Sequence, residues 1–207
     1  MPAENLPVSI KTMVIKREGM TIYYPQVILM RDVGVQKKIN QTIFQRVQYL
    51  IKQQHIQQDA EEFVEVIGTF EIKTNERNLL SLSLSNYAYA PLHAHGLTLM
   101  KSLTFDSMTG RLYRLQDLFR PDSDYIGVLS RLVHQQIKER DIEVLNGFAT
   151  ISPDQDFYLA DKSLVLYFQL YEITAYYFGF PMFPISVYEI EDILAEDGPL
   201  ARLVTNN

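Results

Sequence analysis

Between Leu80 and Ser85 the chain alternates strictly, leucine at one parity and serine at the other. Successive side chains of a strand point to opposite faces, so Leu80, Leu82 and Leu84 predict a core face and Ser81, Ser83 and Ser85 a wet one. Strand character recurs over residues 8–16, 20–27, 63–73, 97–105, 157–159, 164–171 and 185–188, where β-branched and aromatic residues gather. Arg17, Glu18 and Gly19 supply a hairpin turn, Pro25 ends or edges the second strand, and Asn75, Glu76, Arg77 and Asn78 supply another turn. Asp106 to Gly110 connects tightly to residues 111–115, so residues 63–115 read as an antiparallel meander.

From Val35 the period changes. Val35, Ile39, Ile43, Val47, Leu50 and Ile51 recur three or four apart, which predicts an amphipathic helix of about six turns with Asp32 as its cap. A second helix is expected from Asp124 to about Arg140, its apolar side formed by Tyr125, Leu129, Leu132, Val133 and Ile137, with Ser123 or Asp122 as cap. The order of these elements argues for an α+β fold, an antiparallel sheet with two main helices packed on one side. With no linker or repeat to divide them, residues 1–207 are expected to form one compact unit.

Composition narrows the partners. The chain has 19 Lys and Arg against 25 Asp and Glu, a net charge of -6, which disfavours nucleic acid and suits a basic partner. Without cysteine there is no disulfide framework, thiol nucleophile or thiolate metal site. Residues 173–188 carry no charge, but Pro181 and Pro184 interrupt them and they fall short of the roughly 20 residues that span a bilayer, so no membrane insertion is expected. The opening residues lack the basic start and apolar run of an export signal; the expected location is cytoplasmic for the sequence as it stands, and extracytoplasmic if it is a piece of a longer chain.

HExxH, GxSxG, GxxxxGK[ST] and GxGxxG are all absent, so no catalytic residue and no cofactor are assigned. His93 and His95 form the one close histidine pair. In an extended backbone both rings share a face, where they either hold a divalent ion with help from His55, His134 or a carboxylate, or bond loop carbonyls and water. Two donors do not make a metal site, and none is assigned. Tyr87, Tyr89, His93, His95 and Gly96 lie where two strands join, and exposed tyrosines there suit a sugar or a protein partner. Tyr171 and Glu172 follow an apolar strand, which places the carboxylate either half-buried with acid character or simply paired at a strand end. The block Tyr176, Tyr177, Phe178, Phe180 and Phe183 reads first as core and second as a patch for a partner.

Residues 95–119 (HGLTLMKSLTFDSMTGRLYRLQDLF) and 157–190, with the TG turn, the LxDLF run, the YEI after a strand and Gly179 before a proline-rich last strand, resemble a known family. It is the bacterial domain family of uncharacterised role found in lysozyme-sensing anti-sigma factors of the RsiV type and ahead of the catalytic unit of some peptidoglycan deacetylases. Residues 1–90, with the KINQTIF helix, resemble the companion domain that accompanies it, and residues 91–207 the family domain itself. The resemblance implies a non-catalytic binding or sensing module, with a cell-wall or lysozyme-like protein as partner. Two alternatives stand beside it: a metal-dependent hydrolase or deacetylase using His93 and His95, and an intracellular structural or stress protein that shares only the scaffold.

Overall fold

Glycine with a positive φ is what lets two strands turn tightly, and in the computed structural model Gly19, at φ +66°, joins β1 (Ser9–Arg17) to β2 (Met20–Ile28). The structure describes residues 7–204, and the chain divides into two units between Arg111 and Leu112. The first unit continues with α1 (Val33–Gln57), β3 (Glu65–Glu76), β4 (Leu79–Tyr89) and β5 (Leu97–Asp106). Its five strands follow the order β1-β2-β3-β4-β5.

Antiparallel pairing holds throughout this sheet except at β2 and β3, which run parallel over Met20–Ile22 and Val66–Gly68. A parallel pair needs a long crossover, and α1 provides it. Beyond Ile22 the two strands part. There Pro25 has no N–H to offer, and the Asn40 side chain of α1 takes both backbone groups of Val27, accepting from its N–H at 2.8 Å and donating to its C=O at 2.9 Å. Pro25 therefore sits inside β2 rather than ending it.

The Asp32 carboxylate caps α1 as expected, accepting from Val35 N–H at 3.0 Å. The helix runs six residues past Ile51, to Gln57. Two buried glutamines hold that end: Gln54 donates to the carbonyls of Asn86 and Leu97, and Gln58 to the carbonyl of Ala88. They tie the end of the helix to the carbonyls of β4 and β5. The two-residue turn between β3 and β4 uses Arg77 and Asn78, both at positive φ, the geometry that matches strand twist.

The expectation of a wet serine face on β4 is overturned. Ser81 and Ser83 are buried along with Leu80, Leu82 and Leu84. A small hydroxyl tolerates burial when it finds a partner, and Ser81 Oγ lies 2.9 Å from Thr104 Oγ1 across the ladder to β5. The meander stops at Asp106, whose carboxylate accepts from the N–H groups of Met108 and Thr109, and no strand forms over residues 111–115.

The second unit holds α2 (Tyr125–Glu139), β6 (Phe157–Ala160), β7 (Ser163–Tyr167), β8 (Met182–Ser186) and a final turn of helix, α3 (Pro199–Val204). Its three strands form a separate antiparallel sheet in the order β6-β7-β8, so the α+β class stands while the sheet is two sheets, each unit with its own main helix. Leu159, Leu164, Leu166, Tyr167, Phe183 and Ile185 are fully enclosed in its core. Asp124, not Ser123 or Asp122, caps α2 by accepting from Gly127 N–H at 3.0 Å. From α2, Gln136 and Arg140 donate to the Pro184 and Met182 carbonyls of β8, each at 2.8 Å. At the start of the helix, Tyr125 stacks on Phe119 at 5.0 Å, and burial, followed by the nearby Asp154, raises its phenol above the ordinary value.

Candidate functional site

The end of β4 and the loop joining it to β5 carry five of the residues singled out in the sequence. Tyr87 is half-buried because its ring lies across Gly96, where any Cβ would overlap the ring. Glycine is required there by the tyrosine, and the pair reads as packing before it reads as a ligand contact. Tyr89 closes the strand, its carbonyl accepting from Val64 N–H at 2.9 Å. The loop then turns through Pro91 and Leu92, with Leu92 at φ +66° and His93 N–H bonded to Ala90 C=O at 3.3 Å. The backbone is thus turned, not extended, and the premise that set His93 and His95 on one face fails. Both histidines are exposed, and His95 Nδ1 lies 2.9 Å from the carbonyl of Gly96.

His55, offered as a further donor, is engaged elsewhere in the same unit: Nδ1 lies 2.8 Å from Ala60 O and the ring rests 4.7 Å from that of Phe63. Among the described residues no group of three or more His, Cys, Asp or Glu side chains gathers closely enough to hold a metal ion. A cavity in the first unit between Ile22, Val47, Leu50, Leu84 and Asn86 measures about 10 Å³, room for one water and not for a substrate.

Tyr171 and Glu172 belong to the second unit, in the loop between β7 and β8. β7 ends at Tyr167, four residues earlier than its apolar pattern suggested, so both residues lie on a turn. Tyr171 takes φ +65°, and Glu172 is exposed with its carboxylate accepting from Gln169 N–H at 2.7 Å. The half-buried acid is therefore not formed; Glu172 is a solvated turn carboxylate.

The same loop reveals what residue type alone concealed. Phe183, on β8, is fully buried, but Tyr177 is 77% exposed, Tyr171 51% and Phe178 37%. Tyr176 and Tyr171 bring their rings to 5.4 Å, and residues Tyr176–Phe178 form a single 3-10 turn ending at Gly179, whose φ of +77° only glycine accepts readily. The neighbouring loop joins them: Leu145 N–H donates to Ile173 C=O at 2.9 Å, the Tyr177 hydroxyl lies 3.4 Å from the Glu143 carboxylate, and Leu145 is half exposed. Three aromatic rings and a leucine thus stand in solvent over a half-buried fourth ring, Tyr176, with the exposed Glu143 and Glu172 beside Tyr177 and Tyr171. Rigid aromatic area with polar tips is the chemistry from which interface anchors are commonly made.

Comparison with known proteins places this loop in a recognised region. Residues 116–188 match the model of a family described as a protein of unknown function, DUF3298, and the match falls wholly within the second unit. The chain is 28% identical over 174 residues to the anti-sigma-V factor RsiV of Bacillus subtilis (strain 168), covering 77% of this chain and 60% of that protein. It is 25% identical over 134 residues to the peptidoglycan-N-acetylmuramic acid deacetylase PdaC of the same organism, covering 61% of this chain and 28% of that protein. The chain thus spans part of the length of both relatives. Among solved structures, a DUF3298-family protein from Bacteroides fragilis NCTC 9343 superposes with a TM-score of 0.73 at 14% identity, covering 98% of this chain and 100% of that one. Another from Pseudomonas aeruginosa PAO1 gives 0.70 at 13% identity, covering 98% and 99%. The resemblance to the family found in RsiV-type anti-sigma factors and peptidoglycan deacetylases holds, and at these identities the structures establish the fold.

Proposed function

We propose that the chain is a non-catalytic binding or sensing module that receives a basic, lysozyme-like protein on the aromatic loop of its second unit. The observation that carries this reading is the exposed cluster of Tyr171, Tyr177 and Phe178 with Leu145, backed by the half-buried Tyr176 and beside Glu143 and Glu172, within the region that matches the family. Its apolar rings supply contact area at low entropic cost, and its carboxylates select a cationic partner. Residues 112–207 contain seven Lys and Arg against fifteen Asp and Glu, so the unit that bears the loop is also the one that draws positive charge towards it. Relatedness to an anti-sigma factor and to an enzyme that works on peptidoglycan supports a role in responding to proteins of the cell wall, and with it an extracytoplasmic place of action.

Titration calorimetry against a panel of basic lysozymes at low ionic strength tests it. Binding is expected, weakening as salt screens the carboxylates, and at least tenfold weaker in the double variant Tyr177→Ser, Phe178→Ser. No heat from any lysozyme, or equal affinity in the double variant, removes the proposal. The metal-dependent alternative on His93 and His95 finds no third donor among the described residues and is not carried further.

A further inference from the structure

β1 ends the five-stranded sheet and as a strand pairs with β2 alone among the described residues; just ahead of it, the N–H and C=O of Val8 are both taken by the Asn75 side chain of β3, so the open stretch of edge begins at Ile10. Its register against β2 runs unbroken from Ser9 opposite Ile28 to Arg17 opposite Met20, with no bulge. Asn40 fixes the phase of the hydrogen bonds. Because its amide takes both backbone groups of Val27, that residue faces away from β1; in an antiparallel ladder the residue opposite it, Ile10, must then face away from β2. Alternation turns the N–H and C=O groups of Ile10, Thr12, Val14 and Lys16 to the open edge.

Charge says what this edge refuses and what it accepts. Lys11, Lys16 and Arg17 are exposed, Val14 is 51% exposed, and Ser9–Arg17 contains no Asp or Glu. Sheets commonly guard an edge with lysine, and here three cations would meet three cations if two copies tried to pair through β1. A strand of opposite charge meets no such barrier. We propose that the β1 edge accepts an extended acidic segment of a partner protein as an added strand, its backbone held by Ile10, Thr12, Val14 and Lys16 and its carboxylates by Lys11, Lys16 and Arg17. This surface lies on the first unit and takes the opposite charge to the aromatic loop, so it stands or falls separately from the lysozyme reading.

The probe is a fluorescent nonapeptide alternating glutamate with valine and threonine, measured by anisotropy against the full chain at low salt and by amide hydrogen exchange. Val14→Pro removes one outward N–H while leaving the β1–β2 ladder its own bonds, and Lys11→Glu with Lys16→Glu reverses the charge. Saturable binding is expected, with slowed exchange at Ile10, Thr12, Val14 and Lys16, and at least tenfold weaker binding in either variant and for a peptide with lysine in place of glutamate. No binding at millimolar peptide, equal affinity for the lysine peptide, or unchanged exchange at those four amides overturns it. Should Val14→Pro melt below the parent chain, the charge-reversed variant and the exchange pattern decide alone.

Discussion

The first unit builds its sheet from strands of nine to twelve residues crossed by a 25-residue helix, whereas the second builds from strands of four or five residues linked by loops and 3-10 turns. Their charges diverge as well: residues 1–111 hold twelve Lys and Arg against ten Asp and Glu, residues 112–207 seven against fifteen. Long ladders absorb their own polar groups except at an edge such as β1, so what the first unit can offer is backbone. Short strands leave much of the chain in loops, and the second unit can therefore display rings. The difference is one of surface currency more than of core, because both units bury leucine, isoleucine and phenylalanine completely.

The sharpest way to break that contrast lies inside one aromatic block. Phe183→Ala, deleting an enclosed ring, is expected to destabilise the second unit by about 3–5 kcal/mol in urea titration. Next in size, Gly96→Ala drives a methyl into the Tyr87 ring and should cost about 1–3 kcal/mol; adding Tyr87→Ala should recover part of it, and strictly additive losses would refute the packing role given to that pair. Asn40→Ala strands both backbone groups of Val27, part-buried, and is expected to lower stability by about 1–2 kcal/mol while speeding exchange in β2 ahead of β4. Asp124→Ala removes the α2 cap and should cost about 1 kcal/mol by thermal melting. Smallest of all, Tyr177→Ala should change stability by less than about 0.5 kcal/mol, so a loss comparable to that of Phe183→Ala would mean that the exposed rings are structural after all.

Much of the architecture was legible. The hairpin at Gly19, α1 with its Asp32 cap, the run of β3, β4 and β5, and the pairing of β6 with β7 follow from period and turn chemistry. Pairing direction was not, because the alternation of β2 is the same for a parallel or an antiparallel neighbour; the helix of crossover length between β2 and β3 was the available signal. Ser81 and Ser83 were misjudged because a serine bonded across a ladder and a serine in water look alike in sequence. The length of β7 was overread since apolar residues continue past Tyr167 into a turn that Tyr171 makes at positive φ. For the candidate site, residue type could not separate Tyr177 from Phe183: ring chemistry is similar, and only the path of the loop decides which one meets solvent.

The short parallel seam between β2 and β3 has a consequence for motion. Three residues of ladder, the Asn40 clasp, the bonds that Asn75 makes to Val8, the burial of Ile22 and Val27 and the contact of Tyr24 with Phe44 of α1 hold the first hairpin to the rest of its unit. With three rungs of ladder against eleven between β3 and β4 and ten between β4 and β5, this seam is where the unit is expected to part first, the hairpin loosening as one piece once Ile22 and Val27 lose their enclosure while the remaining strands stay zipped.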